Sequence, residues 1–142
     1  MTSMKVMMAL CVGLLMAVYA LDRAAGAGVQ DRRAAPDHVG SLFARLMAKY
    51  ASEQVTFAYH GHDTYGLGVA NAIEAYRQGV RVIDGVAGGL GGCPFAPGAA
   101  GNLASDDLIY MLDGLGIETG VSLTALSSAS AFIESRLDHR LP

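Results

Sequence analysis

Cysteine is scarce in this chain: its 142 residues include two, Cys11 and Cys93. Cys11 lies in an apolar stretch near the start, so the pair does not describe the disulfide framework of a small secreted domain. Paired cysteines at zinc-knuckle spacing are absent too. Charged residues make up 16%, with a net charge of −3, so nothing recruits nucleic acid electrostatically. The apolar run Val6 to Leu21 has 16 residues, slightly short for a membrane span. There is no internal repeat and no low-complexity tract. At 52% hydrophobic, the chain suits one globular domain with a real core.

What is abundant is glycine. There are eighteen, clustered between Gly85 and Gly120, which points to special backbone geometry in that region. The first 33 residues do not match the rest. Lys5 precedes the apolar run and "DRAAGAG" follows it, the pattern of an export signal. An anchor, a buried helix and an unrelated stretch joined to the start of the domain are the other readings. The division is therefore residues 1–33 as an apolar, helical leader and residues 34–142 as the domain.

The domain alternates helix and strand. Ala34 to Tyr50 carries Val39, Leu42, Phe43, Leu46 and Met47 at helical spacing, with Pro36 in the first turn. Gln54 to His60 reads as a strand, and Leu67 to Arg77 as a helix with a Val69, Ala70, Ile73, Tyr76 stripe. Val80 to Val86 reads as a second strand. Gly88 to Gly101 is a loop. Ser105 is expected to cap a helix to about Leu115, and Leu123 to Leu137 a last one. This order predicts parallel βαβ units in an α/β fold. Two strands are too few for a free-standing parallel sheet, so the domain reads as part of a larger one.

Two stretches carry chemistry. In "YHGHDTYG", His60 and His62 are two apart at a strand end, so both imidazoles project from one face. That spacing suits one metal ion, with Asp63 as a further ligand or an acceptor that orients an imidazole. Two partly exposed histidines at a strand end is the other reading. "GGLGGCPFAPGAAGN" fails the dinucleotide fingerprint at Pro94 and has no P-loop lysine. It leaves a close-approaching loop with one thiol, Cys93, either inert or reactive, and Asn102 before a helix. His38, His139 and the serines Ser127, Ser128 and Ser130 form no recognisable constellation.

Taken together, "HGHDTYGLGVANAIEAYRQGV" and "GVAGGLGGCPFAPGAAGNLASDDLIYMLDGLGIETGV" resemble the C-terminal part of the hydroxymethylglutaryl-CoA lyases. The resemblance runs from about Ala34 to about Leu137. These are metal-dependent enzymes of the pyruvate carboxyltransferase-like family, built on a (β/α)8 TIM barrel. The resemblance implies that His60, His62 and Asn102 reach a divalent cation, Mg2+ or Mn2+, and that Cys93 is the catalytic thiol on a mobile loop. It implies retro-Claisen cleavage of 3-hydroxy-3-methylglutaryl-CoA to acetyl-CoA and acetoacetate in the cytoplasm. The leader leaves export or a membrane anchor as the alternative.

The departures are specific. The family's Arg-Asp-Gly motif, which supplies an arginine and an aspartate ligand, has no counterpart; "LDRAAG" and "QDRRAA" match in neither order nor context. A full barrel takes about 250 residues. The expectation is an incomplete barrel, the C-terminal portion with an apolar N-terminal helix, inactive alone. It would self-associate, form a homo-oligomer, or need a second polypeptide carrying the missing strands.

Overall fold

The computed structural model describes residues 35–92 and 101–142, together with the backbone of residues 5–7. In chain order the elements are β1 (Lys5–Met7), α1 (Pro36–Tyr50), β2 (Ala58–His60), α2 (Gly68–Arg77), β3 (Val82–Asp84), α3 (Ser105–Gly114) and α4 (Leu123–Glu134). Single 3-10 turns stand at Thr64–Gly66 and Ala87–Gly89. The result is α/β with a small parallel sheet, as the alternation of helix and strand predicts.

The sheet has three strands in the order β1-β3-β2, all parallel. The third strand is the correction to the sequence reading. A lone apolar helix was expected at the start, yet Lys5–Met7 is extended and pairs with Val82–Asp84. Central strand β3 would otherwise leave one edge of N–H and C=O groups unpaired, and an extended apolar segment satisfies them. The rest of the leader, residues 8–34, lies outside the described residues. Expected strand Gln54–His60 is pairing-competent only over its last three residues. Val55 N–H bonds to Ser52 O, so the chain is still turning there.

Helices α1, α2 and α3 pack on one face of the sheet. Val39 and Phe43 of α1, Ala72 and Ala75 of α2, and Leu108 and Leu112 of α3 form one core with Tyr59 and Ile83. The alternation of side chains along a strand decides this. Tyr59 and Ile83, the middle residues of β2 and β3, point into the helices. Ala58, His60, Val82 and Asp84 therefore lie on the face the helices leave open. The stripe expected on α2 is shifted. Gly68, Asn71, Ala72 and Ala75 are its buried residues. Small alanines let the helix sit close on the strands, while Val69 and Tyr76 pack at the margin of the core. A second cluster of Ala87, Ile109 and Leu126 fastens α4 to α3 and the Ala87–Gly89 turn.

Ser105 does not cap α3. Ala104 holds the cap position, without a side-chain bond. Ser105 N–H is committed to Val86 O at 2.9 Å, which draws the residue into register with the strand end. Its buried Oγ sits against Gly85, where a Cβ would come within 2.6 Å. A serine cap is made at the next helix, where Ser122 Oγ accepts from Ala125 N–H at the start of α4.

Candidate active site

The site is built from strand ends. β2 and β3 finish in register, with His60 opposite Asp84. Segment 101–105 then threads past both ends. Leu103 N–H bonds to Gly61 O and Asp63 N–H to Gly101 O, each at 3.0 Å. His62 and Asn102 thus form an antiparallel bridge of the non-hydrogen-bonded kind, in which facing side chains approach most closely. One step on, Val86 N–H bonds to Leu103 O, and Val86 bridges Ala104 in parallel. Two residues 40 positions apart in sequence, His62 and Asn102, are therefore neighbours because of backbone bonds alone.

Glycines make this threading feasible. A Cβ on Gly101 would collide with the carbonyl oxygens of Gly89 and Gly91, and one on Gly61 with the Tyr59 hydroxyl. Tyr59 lies in the core beside Phe43, ring centroids 6.2 Å apart, and pairs with the Asn71 side chain. Burial pushes its phenol up to about 12.

The His60 and His62 rings stand edge to face, centroids 5.6 Å apart. His60 is held below the usual imidazole range, first by burial and then by the neighbouring His62, against the opposing pull of Asp84. It is a neutral electron-pair donor at neutral pH. Asn102 donates from Nδ2 to Leu90 O at 2.9 Å, leaving its side-chain oxygen as an acceptor. Two imidazoles 5.6 Å apart and, across the backbone bridge, an amide side chain lie at these strand ends, residue types that suit a divalent cation. Among the described residues no three His, Cys, Asp or Glu side chains make a complete site by themselves.

Asp63 Oδ1 accepts from Gly68 N–H at 2.8 Å, at the first residue of α2. Cys93 lies outside the described residues. The ends of its loop, Gly92 and Gly101, are described, and Gly101 is packed against the Gly89–Gly91 backbone. Asp106 also ties the loop's root down. It accepts from Gly88 N–H at 2.8 Å and from Ser130 Oγ at 2.9 Å. Sequence reasoning passed over Asp84, whose Oδ2 is 3.7 Å from His60 Nδ1. Its signal was present: a carboxylate ending the second strand where His60 ends the first.

The HMGL-like family profile matches residues 17–133. The chain belongs to the HMGL-like family. It is 57% identical over 102 residues to the mitochondrial hydroxymethylglutaryl-CoA lyase of Bos taurus, covering 71% of this chain and 31% of that protein. It is 44% identical over 107 residues to hydroxymethylglutaryl-CoA lyase YngG of Bacillus subtilis, covering 75% and 35%. It is 42% identical over 109 residues to the (R)-citramalyl-CoA lyase of Chloroflexus aurantiacus, covering 77% and 34%. The crystal structure of the Bacillus subtilis lyase superposes with a TM-score of 0.70 over 77% of this chain and 36% of that one, at 44% identity. The A. baumannii lyase in complex with coenzyme A and 3-methylmalate gives 0.69 over 77% and 35%, at 40% identity. By family the HMGL-like chain stands among carbon–carbon lyases. It spans about a third of the length of the curated relatives it matches.

Proposed function

We propose that this chain supplies the His60–His62–Asn102 part of a carbon–carbon lyase centre that cleaves 3-hydroxy-3-methylglutaryl-CoA to acetyl-CoA and acetoacetate. The reading takes the sheet as the C-terminal strands of a (β/α)8 barrel, with the chemistry at the strand ends where such barrels keep it. The observation that supports it is the His62–Asn102 bridge, which makes these two residues facing neighbours beside His60.

His60, His62 and the Asn102 side-chain oxygen would hold Mg2+ or Mn2+. A divalent cation there would polarise the substrate's oxygens and favour loss of the hydroxyl proton. The chain's own residues do the rest. His60, held below the usual imidazole range, stays neutral and keeps its lone pair available. Asn102 is fixed by its bond to Leu90 O, so its oxygen does not swing away. The loop bearing Cys93 springs from the same strand ends. By resemblance to the family, its thiol would move a proton to the departing acetyl-CoA carbon. Three donors fill about half of the six places a hard cation uses. The aspartate and arginine of the family's Arg-Asp-Gly strand would complete the centre.

The test is acetyl-CoA release from 3-hydroxy-3-methylglutaryl-CoA with Mn2+, by the chain alone and after mixing with a polypeptide bearing the part of the Bacillus subtilis lyase that this chain does not cover. The chain alone is expected to be inactive and the mixture active, with activity lost in His60→Ala. Full turnover by the chain alone overturns the two-polypeptide reading. Turnover unaffected by His60→Ala overturns the assignment of the site. A second substrate has a specific basis in the 42% identity to a citramalyl-CoA lyase. Offering both CoA thioesters to the mixture decides between them by relative kcat/KM.

A further inference from the structure

Asp84 is a strand-end carboxylate that the proposed centre does not use. The parallel register sets it directly opposite His60, on the face free of helices. Its side chain is 20% exposed and that of His60 26%. Oδ2 lies 3.7 Å from His60 Nδ1, while Oδ1 is buried with no hydrogen-bond partner. A buried carboxylate oxygen without a donor is costly, and native structures keep such a group for a reason. The separation is longer than a hydrogen bond. It is still short enough for the carboxylate's charge to select which ring nitrogen of a neutral imidazole carries the hydrogen.

We propose that Asp84 is a positioning residue that holds His60 as the Nδ1–H tautomer and so presents Nε2, with its lone pair, to the site. The arrangement is chemically that of a carboxylate–histidine–metal relay, in which the outer carboxylate fixes the ring and raises the basicity of the donating nitrogen. Asp63, the nearer candidate in sequence, directs its Oδ1 to Gly68 N–H, whereas Asp84 Oδ2 faces His60 Nδ1. Asp84 reaches the ring only because β2 and β3 are paired in register. The proposal rests on the reading of His60 as a ligand for its purpose, but not for its test.

The tautomer is measured on the full chain without metal. Two-bond proton–nitrogen correlation NMR at pH 7.5 assigns the protonated nitrogen of His60. The expected result is a dominant Nδ1–H form in the wild-type chain, falling to the minor form in Asp84→Leu and retained in part by Asp84→Asn. An Nε2–H form in the wild-type chain overturns the proposal without recourse to any variant. So does an unchanged spectrum in a folded Asp84→Leu. A Mn2+ titration adds the second arm, with affinity expected to fall about 10- to 100-fold in Asp84→Leu. If the wild-type chain binds no Mn2+ while the tautomer behaves as stated, the metal reading fails and the Asp84 assignment stands.

Discussion

Single residues here are constrained by what would collide or titrate. Gly101 is the sharpest steric case, because the atoms in the way are backbone oxygens that cannot step aside. Gly101→Ala is expected to destabilise the fold by about 1–3 kcal/mol in urea unfolding. The same change should weaken Mn2+ binding by shifting Asn102. Tyr59 gives a pH signature. Below about pH 10 the phenol is protonated in both folded and unfolded chains. Between there and about 12 the unfolded chain loses the proton and the folded chain keeps it. Stability therefore falls as pH rises through that window, by about 2–3 kcal/mol in all. Urea midpoints recorded from pH 9 upward should show this slope for the wild-type chain and a shallower one for Tyr59→Phe. Equal slopes would place the phenol in water.

At the scale of elements, the tie between α3, α4 and the loop root depends on Asp106. It accepts one backbone and one serine donor, both hydrogen bonds to a charged group. Asp106→Ala should cost about 1.5–3 kcal/mol, and Ser130→Ala less. Faster hydrogen exchange at the Gly88 amide in Asp106→Ala would show that the loop root itself has loosened. The elements also show what could be read in advance. α1 was legible because Pro36 and the Val39–Phe43–Met47 spacing are local signals. The α2 stripe was misplaced because the sheet selects small side chains, and hydrophobic spacing alone favours Val69 and Ile73 over Ala72 and Ala75. Ser105 was misread because a long-range bond to Val86 outweighs its local preference for a cap. The histidine pair could be found from its two-residue spacing. Its neighbours Asn102 and Asp84 depend on pairings across 40 and 24 positions, and the first was reached only through family resemblance.

At the scale of the molecule, the sheet face that the described helices leave uncovered stands out. Parallel sheets are ordinarily covered on both sides. Among the described residues, helices cover the Tyr59–Ile83 face only, and β2 pairs with β3 alone. The full chain is therefore expected to associate with itself or with a partner that supplies cover. Sedimentation velocity should show mass rising with concentration, and a monodisperse, cooperatively unfolding monomer would contradict this. No helix among the described residues is long and apolar enough to cross a membrane, and residues 8–34 lie outside them. Fusing residues 1–33 to an export reporter tests the leader directly: the cytoplasmic reading expects no export. The central claim, however, is that His60, His62 and Asn102 form one metal-binding unit. Mn2+ titration followed by electron paramagnetic resonance tests it most directly. The account predicts saturable binding by the wild-type chain, weakened at least about tenfold by His60→Ala, His62→Ala or Asn102→Ala. Equal affinity in the wild-type chain and the three folded variants would contradict it.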